Sequence, residues 1–195
     1  METEKGSFPG NLYLKRPRII RYEEYRDDEC LEIIPALLLE EAYILEKLSK
    51  LAPQQQHPNI IHYHGCLVQR GFITGLVLVA DLEAYVVDEM GPPLDKVPFM
   101  EGLKSAIKHL HSLGLAHNDL NPRNVLVSAE GMPVLTDFDS CIPFGEKLKY
   151  SRGTPGWIDP GEDYKTSEAR HDIYGLEKIR AWLDMDEQTK MTTAS

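Results

Sequence analysis

No apolar stretch in this sequence is long enough to cross a bilayer. The longest, around "ITGLVLVA", is less than half of the ~20 residues that a spanning helix requires, so no membrane partner is expected. The opening residues "METEKGSFPG" lack the apolar segment of a secretory leader, which argues against secretion. Cysteine is scarce too. Cys30, Cys66 and Cys141 are odd in number and share no spacing, which argues against a disulfide framework and favours reduced thiols in the cytoplasm or nucleus. Positive charge is in deficit, with 21 Lys and Arg against 31 Asp and Glu and a net charge of −10. That balance argues against nucleic acid as a partner. The one basic run, "KRPRIIR", reads as a solvated surface or as the source of a single functional lysine. No internal repeat is visible.

What is present is an ordinary globular composition, 42% hydrophobic over 195 residues, enough for one domain or for one domain split into two small lobes. Residues 1–11 read as a flexible tail, 12–183 as the folded domain with a division near residue 82, and 184–195 as a second tail. "LYLK" and "RIIRY" are short strand candidates separated by Pro17. Between Pro35 and Leu51, Leu37, Leu38, Ile44, Leu45, Leu48 and Leu51 recur at helical spacing. "NIIHYHGCLV" and "FITGLVLVA" predict two strands around a glycine turn. Pro92, Pro93 and Pro98 mark a linker, "FMEGLKSAIKHLHSLG" a second amphipathic helix stopped at Gly114, and 172–183 a last helix. Strands concentrated before residue 90 and helices after it predict an α+β fold, with a strand-rich lobe joined to a helical one.

The stretch "HNDLNPRNVLVSAEGMPVLTDFD", His117 to Asp139, crowds short polar side chains beside two β-type runs. A turn centred on Glu130–Gly131 sets Val127 opposite Val134 and Val125 opposite Thr136, and places Asn124 opposite Asp137. Cross-strand neighbours lie ~5 Å apart at Cβ, so an amide oxygen and a carboxylate would converge at one end of the hairpin. Magnesium takes such sparse oxygen ligands and completes its shell with water and phosphate. Asp119 lies on the loop leading in, as a candidate base. Capping and turn chemistry is the bland alternative for all three residues.

These residues resemble the catalytic core of the protein kinase family. "HNDLNPRNVLV" is similar to the family's HRDLKxxN loop, and "DFD" to its DFG motif. "EEAYILEKLSKLAPQQQHPNIIHYHGC" is similar to its C-helix and the strand that follows, "GTPGWIDP" to its GTxxYxAPE segment, and "HDIYGL" to the aspartate-led helix behind the loop. The ordered motifs run from about Leu37 to Leu176, and five in order are far more specific than one. The chain is also similar to short kinase-like proteins of fungi. The resemblance implies a bilobal kinase-like fold, ATP and Mg2+ as cofactors, and a protein substrate or protein partner. It gives Asp119 the proton of the attacking hydroxyl, and Asn124 and Asp137 the metal. Glu41 matches the C-helix glutamate, and independently it falls on the helix's apolar stripe, where a carboxylate needs a partner. Lys15 is the candidate partner and phosphate contact, with an exposed basic-strand lysine as its alternative; Glu40 competes with Glu41. Asp81, Glu83 and Leu126 are the residues expected near the adenine.

Several positions depart from the family pattern. No GxGxxG precedes Lys15, the HRD arginine is Asn118, the catalytic-loop lysine is Asn121, the DFG glycine is Asp139 and the APE glutamate is Gly161. These departures motivate a rival reading, a catalytically weak or dead pseudokinase acting as a binding or scaffold module. A third, a small-molecule kinase, comes from the likeness of "HNDL" to the loop of choline and aminoglycoside phosphotransferases. His62, His64 and Cys66 alternate along one strand, a soft-metal pattern without a fourth ligand, for which strand packing is the simpler account. His117, Trp157 and Ile158 read as packing residues, and Asp172 as a brace for the loop.

Overall fold

A computed structural model describes residues 12–16, 33–79, 85–86, 94–149 and 153–185. The candidates Asp81 and Glu83, the strand candidate "RIIRY" and nearly all of both expected tails lie outside these residues.

The N-terminal part is a three-stranded antiparallel sheet with one helix against it. Strand β1 (Leu12–Lys15) and strand β2 (His62–Gln69) flank the central β3 (Phe72–Val79), in the order β1-β3-β2. Leu76 and Leu78 of β3 are buried against helix α1 (Ile33–Ser49). The buried residues of α1 are Leu38, Glu41, Ala42, Ile44, Leu45 and Leu48, a 3–4 spacing that makes a single stripe. Pro35 is tolerated because it stands in the first turn, where amides have no intrahelical partner.

Two-residue β4 (Tyr85–Val86) pairs with β6 (Val125–Val127), which pairs with β7 (Pro133–Leu135). Helix α2 (Lys96–Ser112) lies between, and β5 (Leu115–Ala116) pairs with β8 (Ile142–Pro143). Helix α3 (Ala169–Asp184) closes the described chain. Helix α2 starts three residues earlier than its apolar pattern suggests. The Asp95 side chain caps it by accepting from the Val97 amide at 3.2 Å, which takes Pro98 out of the expected linker and into the first turn. Its Phe99, Leu103, Ala106, Ile107 and Leu110 are buried. Gly114, at φ +74°, ends the segment in the left-handed region.

The hairpin register differs from the expected one by a single residue. The observed pairs are Val125↔Leu135, Leu126↔Val134 and Val127↔Pro133. Ser128 bonds Met132 across the loop, leaving three residues with Gly131 at φ +74°. A three-residue loop with glycine in the left-handed position favours this register over a two-residue turn. Asn124 therefore stands opposite Thr136, whose amide donates to its carbonyl at 2.9 Å, and Asp137 lies one residue beyond. Asp137 leaves the strand alternation altogether, at φ 61° and ψ 71°.

The expected alternation of His62, His64 and Cys66 is also interrupted, by a bulge between Tyr63 and Gly65. Cys66 Sγ lies 3.0 Å from the Tyr63 hydroxyl. Among the described residues no three His, Cys, Asp or Glu side chains form a group able to hold a metal, and no helix is long and apolar enough to cross a membrane.

Two backbone hydrogen bonds stitch the parts together: Ile61 N–H to Leu135 O and Leu135 N–H to Asn59 O, each 2.9 Å. The Asn59 amide adds a bond to Pro133 O at 2.8 Å. One apolar core runs through both, from Leu45 and Leu76 to Leu110, Phe138 and Ile179.

Candidate active site

Three distant segments meet at one ammonium group. Lys15 Nζ lies 2.7 and 2.8 Å from the two carboxylate oxygens of Glu41 and 2.7 Å from Asp137 Oδ1. Strand alternation puts Lys15 on the face of β3 that meets α1, because it pairs with Leu76. On α1, Glu41 occupies the buried stripe and is 2% exposed; Glu40 is only partly buried and lies against the segment around Asp139 and Lys147. Glu41 also accepts the Phe138 amide at 3.1 Å. Burial pulls the Lys15 ammonium down from the ordinary lysine value, but Asp137 and Glu41 outweigh it and the net direction is up. Burial raises the Glu41 carboxyl, Lys15 opposes this in part, and the Asp137 charge adds to it. Asp139 is pushed up to about 6, first by burial and then by the charge on Asp137; its carboxylate accepts from Ser140 Oγ at 2.9 Å. Among the described residues, the carboxylates of Glu41 and Asp137 meet Lys15, and Asp139 lies near enough to feel the charges of all three.

Asp119 is held from three sides. Its Oδ1 accepts the Thr154 amide at 2.7 Å and the Asn121 amide at 3.1 Å, and its Oδ2 accepts from Asn124 at 3.2 Å. Asn124 donates again to the Asp119 carbonyl at 2.8 Å. A carbonyl can only accept, so this contact identifies Nδ2 and with it Oδ1. The amide's hydrogens are thereby used on Asp119, which leaves Asn124 Oδ1 as an acceptor oxygen. This donor set suits a hard cation: a neutral amide oxygen and a carboxylate at the same end of one hairpin, beside a surplus of negative charge. Leu126, two residues on from Asn124, is partly exposed between the buried Val125 and Val127.

The loop itself is fixed from behind. Asp172, fully buried near the start of α3, accepts the amides of His117 at 2.9 Å and Asn118 at 2.8 Å, and its Oδ2 lies 2.8 Å from His111 Nε2. His117 packs edge-on against Phe138 with ring centroids 5.3 Å apart, and its Nε2 bonds Thr136 O at 2.9 Å. Gly175 allows α3 this close approach, since a Cβ there would lie 2.8 Å from both Leu120 Cβ and Leu120 O.

Two substitutions that look like losses have contacts of their own. Asn121, where the family pattern has lysine, bridges Asp119 and Thr154 Oγ1, the latter at 3.1 Å. Asn118, where the pattern has arginine, is 2% exposed with φ +63°. It donates to Ala116 O, Ser140 O and Ser167 Oγ, each at 3.0 Å, and accepts from His171 at 2.9 Å. Sequence reasoning did not single out Thr154, Ser167 or His171. Each lies more than 30 positions from the asparagine it contacts, and no local periodicity reports such a pairing. Trp157 packs edge-on against Trp182 at 6.3 Å.

The chain belongs to the protein kinase family: the profile described as protein kinase domain matches residues 19–177. The fold is α+β and kinase-like: among the described residues, a three-stranded sheet with one helix is set against a helical part. Lys15 precedes the matched stretch, so its contacts alone connect it to the site. Calcium/calmodulin-dependent protein kinase type II of Caenorhabditis elegans is 30% identical over 128 residues, 60% of this chain and 17% of its own length. Mitogen-activated protein kinase kinase kinase 5 of Arabidopsis thaliana is 32% identical over 123 residues, 60% of this chain and 17% of that protein. The human serine/threonine-protein kinase/endoribonuclease IRE2 is 31% identical over 146 residues, 63% and 15% respectively. The chain therefore spans under a fifth of the length of these three relatives.

Proposed function

We propose that this chain is an ATP- and Mg2+-dependent protein kinase-like phosphotransferase acting on a serine or threonine hydroxyl of a protein substrate. The observation that carries the reading is the Lys15–Glu41–Asp137 linkage. It joins a strand, a helix and a hairpin end at one cation, in the arrangement that phosphoryl transfer uses to anchor nucleotide phosphates. The human relative, by name a serine/threonine-protein kinase, and the "GTPGW" segment favour an aliphatic hydroxyl over a tyrosine.

In this reading Asn124 Oδ1 and the Asp137 carboxylate hold the metal, and Lys15 contacts phosphate oxygens. When bound there, magnesium would supply charge neutralisation for the phosphate oxygens. Asp119, aimed by Thr154 and Asn121, orients the substrate hydroxyl and accepts its proton. The Thr154 amide links the base to the segment that resembles the family's peptide-positioning loop, so the base and a bound peptide would be set by the same backbone.

Thermal melting with and without Mg-ATP tests binding. A ligand at 100 times its dissociation constant stabilises by about 2.7 kcal/mol, so the wild type should melt higher with Mg-ATP while Asp137→Asn should not. Phosphotransfer to a protein or peptide should be lost in Asp119→Ala. A specific observation favours the rival binding-module reading: Asn121 contributes no charge where the pattern has a cation. Removing one such electrostatic contact costs ~2.7–4 kcal/mol in the analogous oxyanion case. Nucleotide-induced stabilisation without any turnover would select that reading, and turnover of amino-alcohols instead of peptides would select a small-molecule kinase.

A further inference from the structure

The segment that anchors Asp119 at one end comes back to the same loop at the other. Thr154, whose amide meets Asp119 Oδ1 at 2.7 Å, opens a stretch without helix or strand that runs to Tyr164. Just before it, Gly153 at φ +81° lies close over the loop. A Cβ there would stand 3.2 Å from Asn118 O and 3.6 Å from Tyr164 Cε1, and would collide with Ile158.

The far end closes through rings. Tyr164 is buried and stacks on His171, with centroids 3.9 Å apart and planes 14° from parallel. Its hydroxyl accepts the Asp159 amide at 3.2 Å. Tyr164 stands at φ +43°, a backbone state that a bulky residue keeps only where its surroundings impose it. Asn118 Nδ2 faces the carbonyls of Ala116 and Ser140, which can only accept. Asn118 Oδ1 is therefore the atom that meets His171, and His171 Nδ1 donates to it at 2.9 Å. The contacts make a closed circuit: Asp119 to Thr154, along the segment to Tyr164, across to His171, and through Asn118 back to Asp119.

We propose that Tyr164 and His171 are positioning residues for the acceptor side of the reaction: acting through Asn118, they fix the far end of the 153–164 segment to the dipeptide that carries the base. The inference rests on the phosphotransfer reading above and adds to it two residues that act only through others. Loosening the far end lets Thr154 drift. With it go the aim of the Asp119 carboxylate and the surface against which an acceptor peptide lies. A misplacement of about 1 Å costs on the order of 10²-fold in rate.

Amide hydrogen exchange of the full chain reads the segment. Steady-state kinetics with Mg-ATP and the best substrate from a degenerate Ser/Thr peptide library read the reaction. Tyr164→Leu keeps apolar bulk and removes the ring; His171→Phe keeps a ring and removes the donor. Each should speed exchange of the amides in 153–160 while α2 keeps its protection. Each should also lower kcat for the peptide on the order of 10²-fold, with KM for Mg-ATP unchanged. Tyr164→Phe, which keeps the stack, should stay near wild type in both. If Tyr164→Leu does not fold, His171→Asn answers the same question, since it keeps a donor and removes the ring. Wild-type exchange in these variants would overturn the proposal, as would faster exchange with undiminished turnover. Exchange that rises in α2 as well, or a lost Mg-ATP melting shift, would make the pair a general prop of the fold and overturn it too. A wild type that phosphorylates no peptide overturns the phosphotransfer reading instead; exchange then still decides whether Tyr164 and His171 hold the segment.

Discussion

Among the described residues Lys15 is the cation that joins Glu41, 2% exposed, to Asp137, 16% exposed. Removing one partner of a buried ion pair strands the other charge, at a cost of ~3–5 kcal/mol when burial is complete. Lys15 itself is 19% exposed, so solvent screening lowers that figure. Lys15→Met should destabilise the chain by up to about 3 kcal/mol at neutral pH, read from urea unfolding midpoints. A midpoint equal to wild type would mean that the junction is open to water. At this scale the sequence was informative where burial selects the residue. The apolar stripe favoured Glu41 with Glu40 beside it as a competitor, and in the fold Glu41 is the one that is buried and bonded to Lys15. Lys15 could not be settled locally, since a lysine within "KRPRIIR" carries no sign that two carboxylates, 26 and 122 positions away, converge on it.

Among the elements, α3 and the loop it supports are in unusually close contact. Gly175 lies where any larger residue would press on Leu120, one position after Asp119. Overpacking of this kind typically costs 1–3 kcal/mol. Gly175→Ala should destabilise the fold by about 1–3 kcal/mol, read as a lower melting temperature, and should reduce phosphotransfer beyond what the stability loss accounts for, because the displaced backbone carries the base. A variant that is destabilised but fully active would show that the loop yields without moving Asp119. Helices and strands were largely legible from apolar period, and α1 and the β2–β3 hairpin agree closely with it. The register of the β6–β7 hairpin was not. "SAEGM" accommodates either a two- or a three-residue loop, and the choice turns on which residue adopts positive φ, information that spacing does not contain. Asp137 was thereby moved one position from its expected partner.

For the molecule as a whole, acid sensitivity follows from histidines that folding keeps neutral. His57 accepts the Asn59 amide at Nδ1, at 3.2 Å, and its Nε2 lies 3.0 Å from Ser105 Oγ, so a second proton would break the first contact. Burial, then the neighbouring His109, holds its pKa below the ordinary 6.5. Burial likewise lowers His171, against the opposing charge of Asp172. As pH falls through about 6.5 the unfolded chain takes up protons that the folded chain refuses, so this stability is present above that value and is lost below it. Asp139, pushed up to about 6, acts in the opposite sense over this range because the folded chain binds its proton more readily than the unfolded chain does. The histidine part is therefore read as a difference: between pH 7 and 5 the melting temperature should fall less, or rise more, in His57→Asn, which keeps an acceptor without a titrating group, than in wild type. An unchanged slope would place the acid sensitivity elsewhere.

The stitch from Asn59 and Ile61 onto Leu135 has a mechanical meaning. It fastens the sheet-bearing part to the very strand that, two residues later, delivers Asp137 to Lys15. The seam joins the β2 side of the sheet, whereas Lys15 reaches Asp137 from β1 at the opposite edge, so the two parts are moored on both flanks, by backbone bonds 2.9 Å long on one and by an ion pair on the other.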